Sequence, residues 1–204
     1  MSLPEGGMKQ FTSGSEPGEV RMSRYMLEPE YTLAVLVDYQ EKVCRPIWKT
    51  EELEQKLVHA VKGLQILEVP LLVTEQYPKG LGQTTEPLRK ALENYEPLEK
   101  VTFSCMRDPV FRKKLVESGK KDIILMGIEA HVCVQQTALE LMEEGYRVFL
   151  AADLVSSRNP YDREMGIERM RDAGCVITTI ESLYFELMGS SKADHFREIS
   201  LHIR

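Results

Sequence analysis

Cys133 is the residue of this sequence that is best placed to act as a nucleophile. It follows the apolar run at residues 123–126 and Gly127, and it precedes a helical pattern that continues towards Glu144. The apolar run predicts a strand buried on both faces, so Cys133 falls near the start of the following helix. Unpaired backbone N–H groups and the helix dipole there predict a lowered pKa for Cys133 and a reactive thiolate. The alternative, a small apolar core residue, stays open at this point.

Two charged residues at other strand ends extend this possible reactive set. Asp38 closes the apolar strand at residues 31–37, and Lys100 lies in a short extended piece at residues 98–103. In an open parallel sheet, ligands bind beyond the carboxyl ends of the strands. A strand order of 3-2-1-4-5-6 would make Asp38 face Cys133, where a carboxylate can accept the thiol proton and an ammonium group favours both anions. Asp38 as a turn residue and Lys100 as a solvated charge remain alternatives.

The elements that must position these residues alternate along the chain. Apolar strands are predicted at residues 31–37, 71–73, 98–103, 123–126, 146–151 and 175–178, with amphipathic helices between them and after residue 182. This alternation predicts a parallel sheet covered on both faces. Right-handed crossovers make it a doubly wound, Rossmann-like α/β fold with six parallel strands and helices on both faces. We expect one domain over residues 30–204, preceded by a flexible tail at residues 1–29.

The composition excludes several classes of function. The chain has 204 residues, a net charge of -6 and no apolar run long enough to cross a membrane. An acidic chain disfavours nucleic acid as a partner, so we expect no nucleic acid, and the lack of a long apolar run predicts no membrane partner. The small-molecule substrate that we expect is implied by the resemblance described below. The N-terminus shows no signal-peptide pattern, and the four cysteines form no CxxC pair. We therefore expect free thiols in a cytoplasmic protein, and we also expect a homo-oligomer.

Four segments carry a resemblance to a known family. LAVLVDYQ, VTEQYPKGLGQT, EKVTFSC and GIEAHVCVQQTALELMEEGYRVFLAADLVSSR resemble the isochorismatase-like cysteine hydrolases over residues 31–180. The stretch TEQYPKGLG is most similar to the isochorismatase domain-containing proteins. The thiol branch of this family acts on amides, carbamoyl groups and similar C–N bonds.

The resemblance also implies the residues of the site. An Asp–Lys–Cys triad maps onto Asp38, Lys100 and Cys133. A non-proline cis peptide bond is implied between Ile128 and Glu129. The N–H groups of Glu129 and Cys133 would then bind a developing oxyanion.

Departures from better-known relatives narrow this expectation. Nicotinamidases of the family carry Asp and His metal ligands at the exit of the second strand, which here reads TEQYPK, and the histidines lie elsewhere (His59, His131, His195 and His202). We therefore expect no metal and no cofactor. Enzymes that hydrolyse isochorismate lack the nucleophilic cysteine, so isochorismate is not the expected substrate. No GxGxxG motif follows the first strand, and its absence weakens the hypothesis of a dinucleotide-dependent oxidoreductase.

Further residues are candidates for the pocket. Gln40 and Phe103 could line it, and Tyr77 or Trp48 could cover it, although each is also compatible with loop packing. His131 precedes the cysteine by two residues but is expected to point away from it. The other three cysteines are predicted to be structural: Cys44, Cys105 and Cys175.

The sequence therefore predicts a cysteine hydrolase that cleaves a small amide-like C–N bond through a thioacyl enzyme. Two alternatives remain: a non-catalytic binding or scaffold protein with this fold, and a nicotinamidase-like amidase.

Overall fold

A parallel sheet of six strands forms the centre of the computed structural model, which describes residues 25–202. The strands are β1 (Thr32–Val37), β2 (Leu71–Gln76), β3 (Leu98–Lys100), β4 (Asp122–Ile128), β5 (Arg147–Ser156) and β6 (Val176–Thr178). The helices are α1 (Thr50–Ile66), α2 (Pro78–Leu81), α3 (Glu86–Ala91), α4 (Pro109–Glu117), α5 (Gln135–Glu143), α6 (Pro160–Asp172), α7 (Ile180–Met188) and α8 (Phe196–His202).

Both faces of the sheet are buried, and β1 shows how this follows from its sequence. Leu33, Val35 and Val37 enter one hydrophobic cluster, which includes apolar residues of α4, α5 and α6. Ala34 and Leu36 enter the other cluster, with residues of α1, α3, α7 and α8. Because successive strand residues point to opposite faces, a strand covered on both sides is apolar at every position.

The strand order is β3-β2-β1-β4-β5-β6, so the predicted doubly wound topology is confirmed. β1 pairs in parallel with β2 on one side and with β4 on the other. Val37 lies opposite both Thr74 and Gly127 in this register. The carboxyl ends of β1, β2 and β4 are therefore neighbours at one edge of the sheet.

Gly127 permits the close approach of β4 to β1. Its φ of +115° lies outside the range that other residues readily adopt, and a Cβ atom there would lie 2.1 Å from the carbonyl oxygen of Val37. Only a residue without a side chain fits at this position.

Several elements extend beyond their predicted bounds. β2 continues to Gln76 and β5 to Ser156, three and five residues beyond their predicted ends at residues 73 and 151. The short helix α2 lies directly after β2, with Tyr77 between them. The apolar pattern placed these strand ends too early, because backbone pairing continues through the polar residues that follow the apolar run.

The chain before β1 also packs against the domain. Residues 1–24 of the predicted tail lie outside the described residues, but Leu27 is buried and its N–H donates to Oε2 of Glu186. The folded domain therefore begins before residue 30. None of the helices within residues 25–202 is long and apolar enough to span a membrane.

Candidate active site

Asp38 and Lys100 form a buried ion pair at the carboxyl edge of the sheet. Nζ of Lys100 donates to Oδ2 of Asp38 at 2.6 Å, and the two side chains are 1% and 2% exposed. Asp38 follows β1, and Lys100 ends β3, so the lysine side chain reaches across the end of β2. Burial is the largest single effect and lowers the pKa of Lys100, but the charge and hydrogen bond of Asp38 together with the two neighbouring cysteines outweigh it, so the net pKa is raised.

The ammonium group of Lys100 has three further acceptors. It donates to Oε1 of Gln76 at 2.8 Å and to the carbonyl oxygens of Thr102 and Phe103 at 3.1 and 3.2 Å. Gln76 lies directly opposite Lys100 in the register of β2 with β3. Because the acceptors surround the charge on several sides, the ammonium group is held in one position.

Asp38 has an unusual backbone conformation and a second hydrogen-bond donor. Its φ is +49°, in the left-handed region, which is uncommon for residues with a side chain and concentrates at functional sites. Oγ1 of Thr74 donates to Oδ1 of Asp38 at 2.8 Å. Both carboxylate oxygens are therefore engaged, one by Thr74 and one by Lys100.

Cys133 lies in a π-helical turn, Ala130–Val134, that links β4 to α5. The residue is 8% exposed, and its side chain faces Asp38 and Lys100. Burial, and next the charge of Asp38, raise the pKa of the Cys133 thiol, while the charge of Lys100 acts in the opposite direction. The predicted lowered pKa is therefore wrong. Burial and the nearby carboxylate of Asp38 therefore favour the protonated thiol in the resting site.

The turn that carries Cys133 is tied to the end of β5. Oε2 of Glu129 accepts from the backbone N–H and Nε of Arg158, at 3.0 and 3.1 Å. Nδ1 of His131 lies 2.9 Å from Oγ of Ser157, so this ring nitrogen is engaged away from Cys133. The peptide bond between Ile128, which is fully buried, and Glu129 is cis.

Helix α6 packs closely on the same turn. A Cβ atom on Gly166 would lie 2.9 Å from Cα of His131 and 3.1 Å from the carbonyl oxygen of Ala130. The absence of a side chain at Gly166 lets α6 support the backbone next to Cys133.

The residues predicted to line one pocket lie at separate positions in the structure. Gln40 is fully buried, and its Nε2 donates to the carbonyl oxygens of Gln76 and Gly82, while its Oε1 accepts from the N–H of Gln76. It therefore fastens the segment after β2. Tyr77 lines a cavity of 320 Å³ together with Lys100. Phe103 contributes its carbonyl oxygen to Lys100, and its side chain is exposed.

Sequence reasoning missed three residues next to the ion pair. Thr74 and Gln76 alternate along β2 and so point to the same face, where they contact Asp38 and Lys100. This spacing at a strand end was a usable signal. Cys105, predicted to be structural, is fully buried beside the site, where burial raises its thiol pKa to about 11 and the charge of Asp38 adds to the effect.

The side chains of Thr74 and Gln76 at the carboxyl end of β2 are engaged by other residues of the site and are not free to bind a metal ion. The side chain of Thr74 binds Asp38, and Gln76 binds Lys100. Among residues 25–202, no three His, Cys, Asp or Glu side chains are grouped so that they could hold a metal ion.

Comparison with known proteins identifies the family of this arrangement. The family model of the isochorismatase domain matches residues 32–182, which is most of the chain and contains the whole site. The chain belongs to the isochorismatase family. Isochorismatase family protein 1A of Dictyostelium discoideum is 38% identical over 177 residues, covering 85% of this chain and 86% of that protein. Isochorismatase domain-containing protein 2 of Danio rerio is 34% identical over 173 residues, covering 85% of this chain and 87% of the relative.

Solved structures of isochorismatase-like proteins have the same fold. The MAR1 ribonuclease from Caenorhabditis elegans superimposes with a TM-score of 0.82 at 36% identity, over 87% of this chain and 92% of that one. YcaC from Pseudomonas aeruginosa has a TM-score of 0.82 at 21% identity, over 89% of this chain and 93% of that one. At 21% identity, the similarity to YcaC shows only that the two proteins share a fold.

Proposed function

We propose that this isochorismatase-family protein is a cysteine hydrolase that cleaves an amide-like C–N bond of a small molecule. The observation that carries the proposal is the buried Asp38–Lys100 ion pair, 2.6 Å between Nζ and Oδ2, facing the Cys133 thiol. Removing two charges from water is costly, so a pair of this kind beside a thiol is a candidate functional site.

The first half of the reaction forms a thioacyl enzyme. Asp38 accepts the proton of Cys133 as the sulfur attacks the substrate carbonyl carbon, since the thiol pKa is raised and the proton must be removed by a base. The N–H groups of Glu129 and Cys133 receive the negative oxygen. The C–N bond then breaks, and the amine leaves with the proton held by Asp38.

The second half of the reaction returns the enzyme to its starting state. Asp38 accepts a proton from water, whose oxygen attacks the thioester carbon, and the C–S bond breaks to release the carboxylic acid. The proton on Asp38 returns to the sulfur. Lys100 keeps its charge throughout and stabilises Asp38 before the transfer and the thiolate after it.

The surroundings of the thiol favour a small substrate. Cys133 is only 8% exposed, while Tyr77, Val101 and Phe103 near Lys100 are 53%, 76% and 57% exposed. Exposed apolar side chains near a buried polar site suit a compact substrate with one apolar part. A homo-oligomer that covers some of this apolar surface is part of the proposal.

A relative suggests a second activity. The Caenorhabditis elegans structure at 36% identity is named a ribonuclease, so RNA hydrolysis is a candidate for this chain. The net charge of -6 and the low exposure of Cys133 favour the amide hydrolase over it. RNA therefore belongs in the substrate screen, with Cys133→Ala as the variant that assigns any cleavage to this site.

Thiol labelling tests the proposed site before any substrate is known. Brief, limiting iodoacetamide followed by mass spectrometry should label Cys133 before Cys44, Cys105 and Cys175, because Asp38 accepts the proton of Cys133 as the sulfur attacks and so offsets the raised pKa of this thiol. Lys100→Ala should move the pH dependence of this labelling to higher pH, because the thiolate loses its positive neighbour. Lys113→Ala is a matched control, since the Lys113 side chain is 72% exposed. Identical profiles for wild type and Lys100→Ala would contradict the triad.

A substrate separates the hydrolase from the alternatives. Asp38→Asn should lower the turnover of an amide found by screening by about 10²- to 10⁴-fold, as removal of a general base does. A scaffold protein would show no turnover that depends on Asp38 and Cys133. Activity that disappears on chelation and returns with zinc or manganese would instead indicate a nicotinamidase-like amidase.

A further inference from the structure

Thr137 makes two hydrogen bonds that connect the two halves of the candidate site. Its Oγ1 donates to the carbonyl oxygen of Cys133 at 2.7 Å and accepts from the backbone N–H of Cys105 at 3.0 Å. Thr137 is fully buried on α5. A threonine hydroxyl that bonds to the carbonyl four residues earlier is ordinary in a helix. The second bond is different, because it comes from another segment of the chain.

That other segment, residues 101–107, is here named the lysine loop because its carbonyl groups bind the ammonium of Lys100. The carbonyl oxygens of Thr102 and Phe103 are two of the four acceptors around Nζ. Since an ammonium group has three hydrogens, the position of this loop decides how they are shared.

Helix α5 holds the lysine loop at a second point as well. Oε2 of Glu140 accepts from Oγ of Ser104 at 2.6 Å, and Oε1 of Glu140 accepts from Nε of Arg107 at 2.6 Å. Glu140 lies at the surface end of this contact, whereas Thr137 lies inside, next to the reacting groups. Both anchors are on the helix that follows Cys133.

We propose that Thr137 is a positioning residue of the active site: its hydroxyl fixes the turn of Cys133 to the lysine loop and so keeps the ammonium group of Lys100 directed at Asp38. This inference rests on the proposed function, because it concerns the same triad. Thr137 acts through Lys100 and Cys133 and does not contact the substrate.

The test compares the pH dependence of Cys133 alkylation by iodoacetamide in matched variants. Thr137→Val keeps the shape but removes both hydrogen bonds, so the midpoint should move to higher pH by about 0.5 to 1 unit as the positive charge becomes less well placed. The ionisable groups around the thiol are Asp38, Lys100 and Cys105, and all three remain in this variant. A shift of the alkylation midpoint therefore reports a change in the positions of these three groups.

Two variants separate positioning from loss of a buried hydroxyl. Thr137→Ser keeps the donor and acceptor and should restore the wild-type midpoint. Thr32→Val removes another fully buried hydroxyl, one that donates to the carbonyl oxygen of Glu28 at the opposite end of β1, and should leave the midpoint unchanged.

The outcomes distinguish this inference from the proposed function. If Lys100→Ala shifts the midpoint and a folded Thr137→Val does not, the role of Thr137 is wrong while the triad stands. If Lys100→Ala leaves the midpoint unchanged, both fail.

A second pair of variants decides the case in which Thr137→Val lacks a cooperative unfolding transition. Glu140→Ala loosens the lysine loop from the surface, with Glu143→Ala, at an exposed position of the same helix, as the control. If the alkylation midpoint shifts in Glu140→Ala and not in Glu143→Ala, the anchoring of the lysine loop by α5 is supported. If both variants have the wild-type pH profile, that anchoring is overturned.

Discussion

Thr74 donates a hydrogen bond to Oδ1 of Asp38 across the neighbouring strands β2 and β1, at 2.8 Å. Both residues are buried, at 0% and 2% exposure. The hydroxyl supports the carboxylate from the side opposite to Lys100, and so it keeps the second oxygen of Asp38 from being left without a partner.

Thr74→Val should therefore lower the free energy of unfolding by about 1–3 kcal/mol, the usual cost when a hydrogen bond to a buried charged group is lost. Urea denaturation measures this difference. Thr74→Ser retains the hydroxyl and should lie closer to wild type. Equal stability of the valine variant would show that the Asp38 carboxylate does not depend on this donor.

Gly166 should affect the reactivity of Cys133 although it lies on α6. In Gly166→Ala the new Cβ would meet the backbone of His131 at 2.9 Å, so either α6 or the turn must move. We expect the labelling rate of Cys133 to fall by about 10-fold or more, because small displacements of a reactive group are costly. Met165→Ala, at an exposed position of the same helix, is the control. An unchanged rate would mean that the turn tolerates the displacement.

Gly127 and Gly145 allow a comparison of strain with steric conflict. Both have positive φ, +115° and +82°, but a Cβ on Gly127 would lie 2.1 Å from the carbonyl oxygen of Val37, and one on Gly145 meets nothing within 4 Å. Gly145→Ala should cost about 1–2 kcal/mol from backbone conformation alone. Gly127→Ala should cost clearly more or prevent folding, and thermal unfolding of the two variants side by side measures the difference. Similar melting temperatures would contradict the close approach of β4 to β1.

Cys175 should make the protein less stable in alkaline solution. Burial raises the pKa of its thiol from 9.0 to about 12. Between these values the unfolded chain releases the proton and the folded chain keeps it, so the free energy of unfolding falls as the pH rises above 9. One fully shifted group contributes about 1.4 kcal/mol per pH unit.

Replacement of this thiol should weaken the pH dependence. Urea denaturation of Cys175→Ala under reducing conditions at pH 8 to 11 should give a shallower slope than wild type. Cys44→Ala should change the slope less, because the Cys44 thiol is only partly buried. Parallel curves for wild type and Cys175→Ala would show that the buried thiol does not hold its proton.

Much of the fold could be predicted from the sequence because the pattern of each element is local. A strand buried on both faces must be apolar at successive positions, as β1 and β4 are, and this remains visible without a structure. The strand order was assumed from the doubly wound fold, and the structure has that order; right-handed crossovers restrict the possible arrangements but do not select one of them. The ends of β2 and β5 were missed, since polar residues at Gln76 and Ser156 are held by backbone pairing with neighbours distant in sequence.

The residue types of the candidate site were likewise set by local sequence. Asp38 and Cys133 each follow an apolar strand, Lys100 lies in a short extended piece, and the resemblance to the family implied that the three form a triad. Only the tertiary structure decided which groups surround them. The contacts of Thr74 with Asp38 and of Gln76 with Lys100 depend on the register of β2 with its two neighbours. The protonation of Cys133 was decided at the same level. A helix terminus is visible in the sequence, whereas burial and the charge of Asp38 exist only once β1 and β4 are paired, and these two effects raise the thiol pKa.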